Sequence, residues 1–159
     1  YMKAYPCWGP QKEQGAQYVQ FHKLPLGIRF SRTGDTVSDL GWPIYPQGLR
    51  KMIRLVARTR LPIYITENGI ADEADQFRAQ YIQDHVAQIA TAREEGADVR
   101  GYYHWSLLDN FEWIKGFGPR FGLWAVDYKT QERRPRASTQ IYAQIVKRGA
   151  PGADSSASS

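Results

Sequence analysis

Cysteine is nearly absent from this chain. Cys7 stands alone, so no disulfide can close within the chain and no cysteine metal site can form. Histidine is scarce too, and His22, His85 and His104 lie far apart, without the i, i+4 spacing of a helical metal motif. No apolar run reaches transmembrane length, and no signal peptide is recognisable. A single cysteine fits a reducing compartment, so the expected location is cytoplasmic. The net charge of +5 and pI near 9.4 permit a nucleic-acid partner without arguing for one. The basic residues are scattered, with one small knot at Arg133, Arg134 and Arg136, and no zinc-finger or RNA-binding signature accompanies them. A solvated basic face is the expectation. The chain opens on Tyr1 rather than Met, which suggests the loss of a natural start.

What is present is enough for one folded domain. At 159 residues, with 42% hydrophobic and 23% charged residues, the chain can bury a sizeable core. Aromatics reach 13%, with five Trp and ten Tyr. They serve either as core bulk or as flat apolar faces for a ligand such as a sugar ring. Their clustering beside polar residues after position 102 favours the second.

Residues 1–45 are punctuated by Pro6, Gly9, Pro10, Pro25, Gly27, Gly34 and Pro43, and only Tyr18–Phe21 alternates like a short strand or hairpin arm. Pro46 then opens a helix whose Leu49, Met52, Ile53 and Val56 form one apolar face. A strand is expected at 63–66. Acidic capping at Asp72, Glu73 and Asp75 leads into a helix from about Gln76 to Glu95, with Phe77, Tyr81, Ile82, Val86 and Ile89 as its stripe and Gly96 as its stop. Residues 99–107 form a second, aromatic-rich strand, and Gly122–Tyr128 a hairpin. Ser138 caps a last helix through Ile141, Tyr142, Ile145 and Val146, closing at Gly149, and residues 150–159 make a disordered Ser/Ala-rich tail. The order helix, strand, helix, strand, helix is that of parallel βα units, yet two or three strands are too few for a closed eight-stranded barrel.

The run Pro62-Ile63-Tyr64-Ile65-Thr66-Glu67-Asn68-Gly69 concentrates the chemistry. A β-branched strand ends abruptly in a carboxylate and a turn, so Glu67 sits where the strand stops. In a parallel α/β barrel, catalytic side chains project from that end. The plainer alternative is a surface glutamate at the end of a strand.

Several segments together decide between them. They are Ser38-Asp39-Leu40-Gly41-Trp42, Tyr45-Pro46-Gln47-Gly48-Leu49, Ile65-Thr66-Glu67-Asn68-Gly69-Ile70, the run from His104 to Trp113, Gly116-Phe117, Arg120-Phe121-Gly122-Leu123 and Val126-Asp127-Tyr128. In this order and spacing the chain resembles the C-terminal third of family 1 glycoside hydrolases, the β-glucosidase and β-galactosidase barrels, and most of all their archaeal branch. The resemblance implies an α/β fold over residues 1–149: about strands six to eight of a (β/α)8 TIM barrel with their helices, the barrel incomplete in this chain. Strand 63–66 would be the seventh and strand 99–107 the eighth.

The resemblance also implies roles. Glu67 would be the nucleophile of a retaining β-glycosidase, attacking the anomeric carbon while a second carboxyl group about 5–5.5 Å away protonates the leaving oxygen. Trp105 would floor the sugar site, Glu112 would accept hydrogen bonds from two neighbouring hydroxyls, Trp113 would donate its indole N–H, and Phe121 would wall the pocket. Tyr1, with Tyr5 as alternative, would match the family tyrosine whose hydroxyl contacts the nucleophile. The substrate is a small β-glycoside, and no metal or organic cofactor is implied.

One departure matters. The family's acid/base glutamate belongs to an Asn-Glu-Pro motif, and the two asparagines here, Asn68 and Asn110, do not precede Glu-Pro. The isolated chain is therefore expected to be inactive, a C-terminal piece lacking an N-terminal barrel half. Alternatives are a non-catalytic carbohydrate-binding protein and one half of a split glycosidase. Sugar-binding alone does not require a carboxylate at the strand end, which weighs against the first.

Overall fold

A computed structural model describes residues 35–149. Tyr1, Tyr5, the Tyr18–Phe21 arm and the 150–159 tail lie outside those residues. The elements run α1 (Pro46–Ala57), β1 (Ile63–Asn68), α2 (Arg78–Glu94), β2 (Val99–His104), a 3-10 turn at Trp113–Lys115, β3 (Trp124–Val126), β4 (Arg133–Pro135) and α3 (Ser138–Arg148). β1 and β2 pair in parallel, β3 and β4 antiparallel, and the described residues contain no closed barrel.

Pro46 occupies the first turn of α1, where its missing N–H costs nothing. Ile53 is buried, Leu49 and Ala57 are partly so, and all three pack with Ile63, Ile65, Ile89, Ala92, Ala97 and Val99 into one apolar cluster. Each buried isoleucine there contributes about 1.5–3 kcal/mol relative to exposure. Val56, expected on the same face, is exposed instead. Ala57, one position further on, is the residue that meets the cluster at this end of the helix.

α2 begins later than the sequence pattern indicates. The Asp72 carboxylate accepts the backbone N–H groups of Gln76 (3.2 Å), Phe77 (2.8 Å) and Arg78 (2.9 Å), satisfying donors that the first turn leaves open. Phe77 is thereby the cap rather than a stripe residue, and its ring is exposed. The buried stripe is Arg78, Ile82, His85, Val86, Ile89 and Ala92. Gly96, at φ 96°, closes the helix in the left-handed region that glycine enters freely. A second cluster of Ile82, Val86 and Leu123 extends to Tyr142 and Ile145 of α3, and Tyr102 touches both clusters.

The last expected strand is also shorter. β2 stops at His104 because residues beyond it change partner: Ser106 N–H donates to Phe121 O (3.1 Å), Leu123 N–H to Ser106 O (2.8 Å) and Trp124 N–H to Leu107 O (2.9 Å). The Trp105–Ser106 peptide bond within this turn is cis. The hairpin has its first arm at Trp124–Val126, inside the expected span, but its second at Arg133–Pro135. Its turn is held by Asp127, whose carboxylate accepts Lys129 and Thr130 N–H groups. Ser138 is not the cap of α3, a position Ala137 takes. Its N–H (2.9 Å) and hydroxyl (2.7 Å) both donate to the Asp75 carboxylate, tying α3 to the segment before α2. Val146, expected in the stripe of α3, is exposed on its outer side.

Candidate active site

Strict alternation would send Glu67 toward the helices with Ile63 and Ile65. The β1–β2 register breaks between Ile65 and Asn68, and the phase reverses there. Asn68 now shares the helix-facing side: its Nδ2 donates to the Tyr81 hydroxyl of α2 (3.1 Å), and its Oδ1 accepts from the Tyr102 hydroxyl (3.1 Å). Burial pushes both phenol pKa values up, so both tyrosines stay neutral hydrogen-bonding partners. With Asn68 held on one side, the half-buried Glu67 before it projects from the other.

β2 repeats the arrangement. Tyr102 and His104 face the helices, His104 meeting Tyr142 at 5.9 Å between ring centroids, so Tyr103 between them faces away, and Trp105 follows directly after the strand. The two strand ends are joined directly, because Trp105 N–H donates to Asn68 O at 3.0 Å. Gly69 lies against the following peptide: a Cβ there would sit 1.6 Å from the Trp105 carbonyl oxygen, so no side chain fits. Glu67 and Trp105 thus stand at adjacent C-terminal strand ends, tied together through the backbone.

The segment after β2 carries the other expected contacts. Glu112 is 5% exposed; its N–H donates to Gly116 O (2.7 Å) and its carbonyl accepts Lys115 N–H (2.9 Å). Trp113 follows with φ 47° and is 72% exposed. For a non-glycine residue that backbone costs on the order of 1–2 kcal/mol, and such conformers concentrate at functional segments. Phe121 is 2% exposed, its ring 6.4 Å from that of Trp42 between centroids. Trp42 also lies in one of the segments on which the resemblance rests. Tyr1 lies outside the described residues.

Two polar knots brace these loops, and the motif blocks alone did not single them out. Arg78 is fully buried; its guanidinium pairs with Asp75 and donates to Asp72 O (2.5 Å) and Arg120 O (2.8 Å). Asp72 N–H also donates to Arg120 O (3.0 Å), so the loops following β1 and β2 share one acceptor. Asp109, also buried, is held by Arg136 and Arg120. The sequence signal for Arg78 was its phase: it falls four positions before Ile82, on the apolar stripe, with Asp72 and Asp75 just upstream. A cleft of about 580 Å³ is lined partly by Asp109, Arg120, Tyr128 and Arg136, but not by Glu67, Trp105, Glu112, Trp113 or Phe121. Among the described residues, no cluster of three or more His, Cys, Asp or Glu could hold a metal ion, and no helix is long and apolar enough to cross a membrane.

The chain is similar to several known proteins. The β-galactosidase of Saccharolobus solfataricus is 48% identical over 121 residues, which cover 76% of this chain and 25% of that protein. β-Glucosidase A of Thermotoga maritima is 41% identical over 134 residues, covering 77% of this chain and 30% of that one. In three dimensions the chain is similar to the β-glycosidase from Pyrococcus horikoshii, with a TM-score of 0.71 and 44% identity over 75% of this chain and 28% of that one. The chain spans about a quarter of the length of the first curated relatives it matches. The sequence profile described as Glycosyl hydrolase family 1 matches residues 11–150, most of the chain, so the chain belongs to that family.

Proposed function

We propose that this chain is the C-terminal part of a retaining β-glycosidase that hydrolyses terminal β-linked sugars such as β-glucosides and β-galactosides. β1 and β2 correspond to the seventh and eighth strands of its barrel. The observation that carries the reading is the pair of adjacent parallel strand ends that bear Glu67 and Trp105, joined by the Trp105 N–H to Asn68 O bond. The names β-galactosidase and β-glucosidase borne by its relatives support the substrate class.

In this reading Glu67 attacks the anomeric carbon and forms a glycosyl-enzyme ester as the leaving oxygen departs. Water then cleaves the ester, with net retention. Trp105 stacks under the ring, Glu112 and Trp113 bind hydroxyls, Phe121 supports the wall, and Tyr1 contacts the nucleophile. The acid/base carboxyl group comes from strands this chain does not contain. Without it leaving-group protonation loses about 10²–10⁴-fold, and the chain alone is inactive. No nucleic-acid, membrane or cofactor partner enters the scheme, and the lone Cys7 is consistent with a cytoplasmic protein.

The test is hydrolysis of an aryl β-glucoside by the full-length protein containing this chain, with the first-formed anomer followed by NMR. Release of the β-anomer, lost in Glu67→Gln, supports the reading. The α-anomer, or undiminished turnover in Glu67→Gln, overturns it. Authentic turnover by the 159-residue chain alone would overturn the inactivity of the isolated piece.

A further inference from the structure

We propose that Asp109 is a positioning residue for the loop that presents Glu112 and Trp113 to the sugar, an inference that rests on the β-glycosidase reading. Asp109 stands at one side of the neck of that loop and Gly122 at the other. Its Oδ1 accepts Gly122 N–H (2.9 Å) and Arg136 Nη1 (3.0 Å). Its Oδ2 accepts Val126 N–H (3.2 Å), Arg136 Nη2 (3.1 Å) and, more weakly, Arg120 Nη1 (3.5 Å). The Asp109 N–H donates in turn to Trp124 O (3.1 Å). One buried carboxylate therefore joins both sides of the neck to β3 and to the residue two before α3.

Charge and geometry both matter at this position. Paired forks between guanidinium and carboxylate fix orientation as well as distance, which single hydrogen bonds do not. The neck has no slack: a Cβ on Gly122 would lie 2.3 Å from Asp109 N and 2.4 Å from Trp124 O. Beyond it the loop tip is a closed turn, held by Glu112 N–H to Gly116 O (2.7 Å) and Gly116 N–H to Trp113 O (2.9 Å), with Phe117 resting against Tyr128 at 4.5 Å between ring centroids. A tip that is rigid in itself moves as a body when its neck moves. Glu112 is three residues from the staple, so a tilt at Asp109 is transmitted to its carboxylate. Asn at position 109 keeps the shape but loses an acceptor oxygen and turns an amide N–H₂ toward guanidinium donors.

The experiment is a double-mutant cycle in the full-length protein, Asp109→Asn against Glu112→Ala, read as kcat/KM on an aryl β-glucoside. Asp109→Asn alone is expected to lower kcat/KM by about 10- to 100-fold, the scale of an ångström-level misplacement. In the Glu112→Ala background the same change is expected to cost less than about threefold, because the group it positions is gone. Amide exchange should accelerate across residues 110–121 and stay unchanged in α2. If Asp109→Asn does not fold, Arg136→Lys keeps the charge, removes the fork and gives the same coupling at smaller amplitude. Arg100→Gln, at an exposed pair, serves as the unaffected control. Equal losses with and without Glu112, or exchange that rises throughout the protein, would overturn the proposal. A wild-type protein without β-glycosidase activity removes the reading beneath it, and that outcome is distinct because it appears before any substitution is made.

Discussion

On one face of the β1–β2 pair, Ile63, Ile65 and Val99 are sealed beneath α1 and α2, with Tyr102 packed partly against them. On the other, Tyr64 and Tyr103 stand 54% and 58% exposed, with Glu67 close by toward the end of β1. The first face is covered by the described residues alone. The second carries aromatic bulk and the candidate chemistry, with its apolar surface uncovered. A parallel sheet is normally covered on both faces, so the difference separates what holds this piece together from what a full barrel would surround. Stability and function can therefore be disturbed separately, one face at a time.

The largest break in the comparison comes from the polar knot behind the sealed face. Arg78→Met should destabilise the chain by about 3–5 kcal/mol in urea unfolding, since it leaves the Asp75 carboxylate without its guanidinium partner. A smaller loss would mean that Ser138 alone satisfies Asp75. Ile65→Ala in the sealed cluster should cost about 2–5 kcal/mol by the same measurement.

Acid should act on the sealed side as well. Burial lowers the pKa of His85 to about 4 and that of His104 to about 3, the latter also through the nearby Arg78 charge. The unfolded chain binds these protons near pH 6.5 and the folded chain does not. Their contribution is thus present above pH 6.5 and is lost as pH falls toward 4, at up to about 1.4 kcal/mol per pH unit for each histidine. Urea midpoints between pH 7 and 5 measure this slope, which should shrink in His104→Gln. Tyr64→Ser, on the uncovered face, should change the stability of this chain by less than about 0.5 kcal/mol. A cost matching that of Ile65→Ala would show that something covers this face after all. The exposed Asp98–Arg100 pair should contribute least, and Arg100→Gln should leave the urea midpoint in place.

Hydrophobic periodicity made the order α1, β1, α2, β2, α3 legible, most clearly in α2, which buries Ile82, Val86 and Ile89 on one face, and in β1, where Ile63 and Ile65 alternate with exposed residues. It was less informative at element ends, where polar groups decide. Phe77 fell outside α2 once Asp72 had taken its N–H, and Ser138 served Asp75 rather than its own helix. β2 shortened because Ser106 and Leu107 paired with a segment fifteen or more residues away, which no local pattern encodes. Among the candidate residues, Glu67 was expected just past a strand ending at residue 66, whereas β1 runs on through Glu67 to Asn68, whose side chain is held by Tyr81 and Tyr102; the face Glu67 points to was not readable either. Counting alternate residues gives the wrong side, and only the register break before Asn68 corrects it. The braces were harder still: Arg78 is a charge in an apolar stripe, which reads as an exception until its partners are known, and the partners of Asp109 lie 11 to 27 residues away.

Gly69 gives the two strand ends an unusual kind of ruler. The clearance to the Trp105 carbonyl is smaller than a methyl group, so the spacing of the two strand ends depends on a missing side chain rather than on a packed one. Packing can relax around a substitution by small shifts shared among many neighbours. A backbone-to-backbone gap has no such give. Efforts to retune this pocket by mutation therefore have a position that touches no sugar in the proposed scheme yet would tolerate change least, and directed libraries should leave it as glycine.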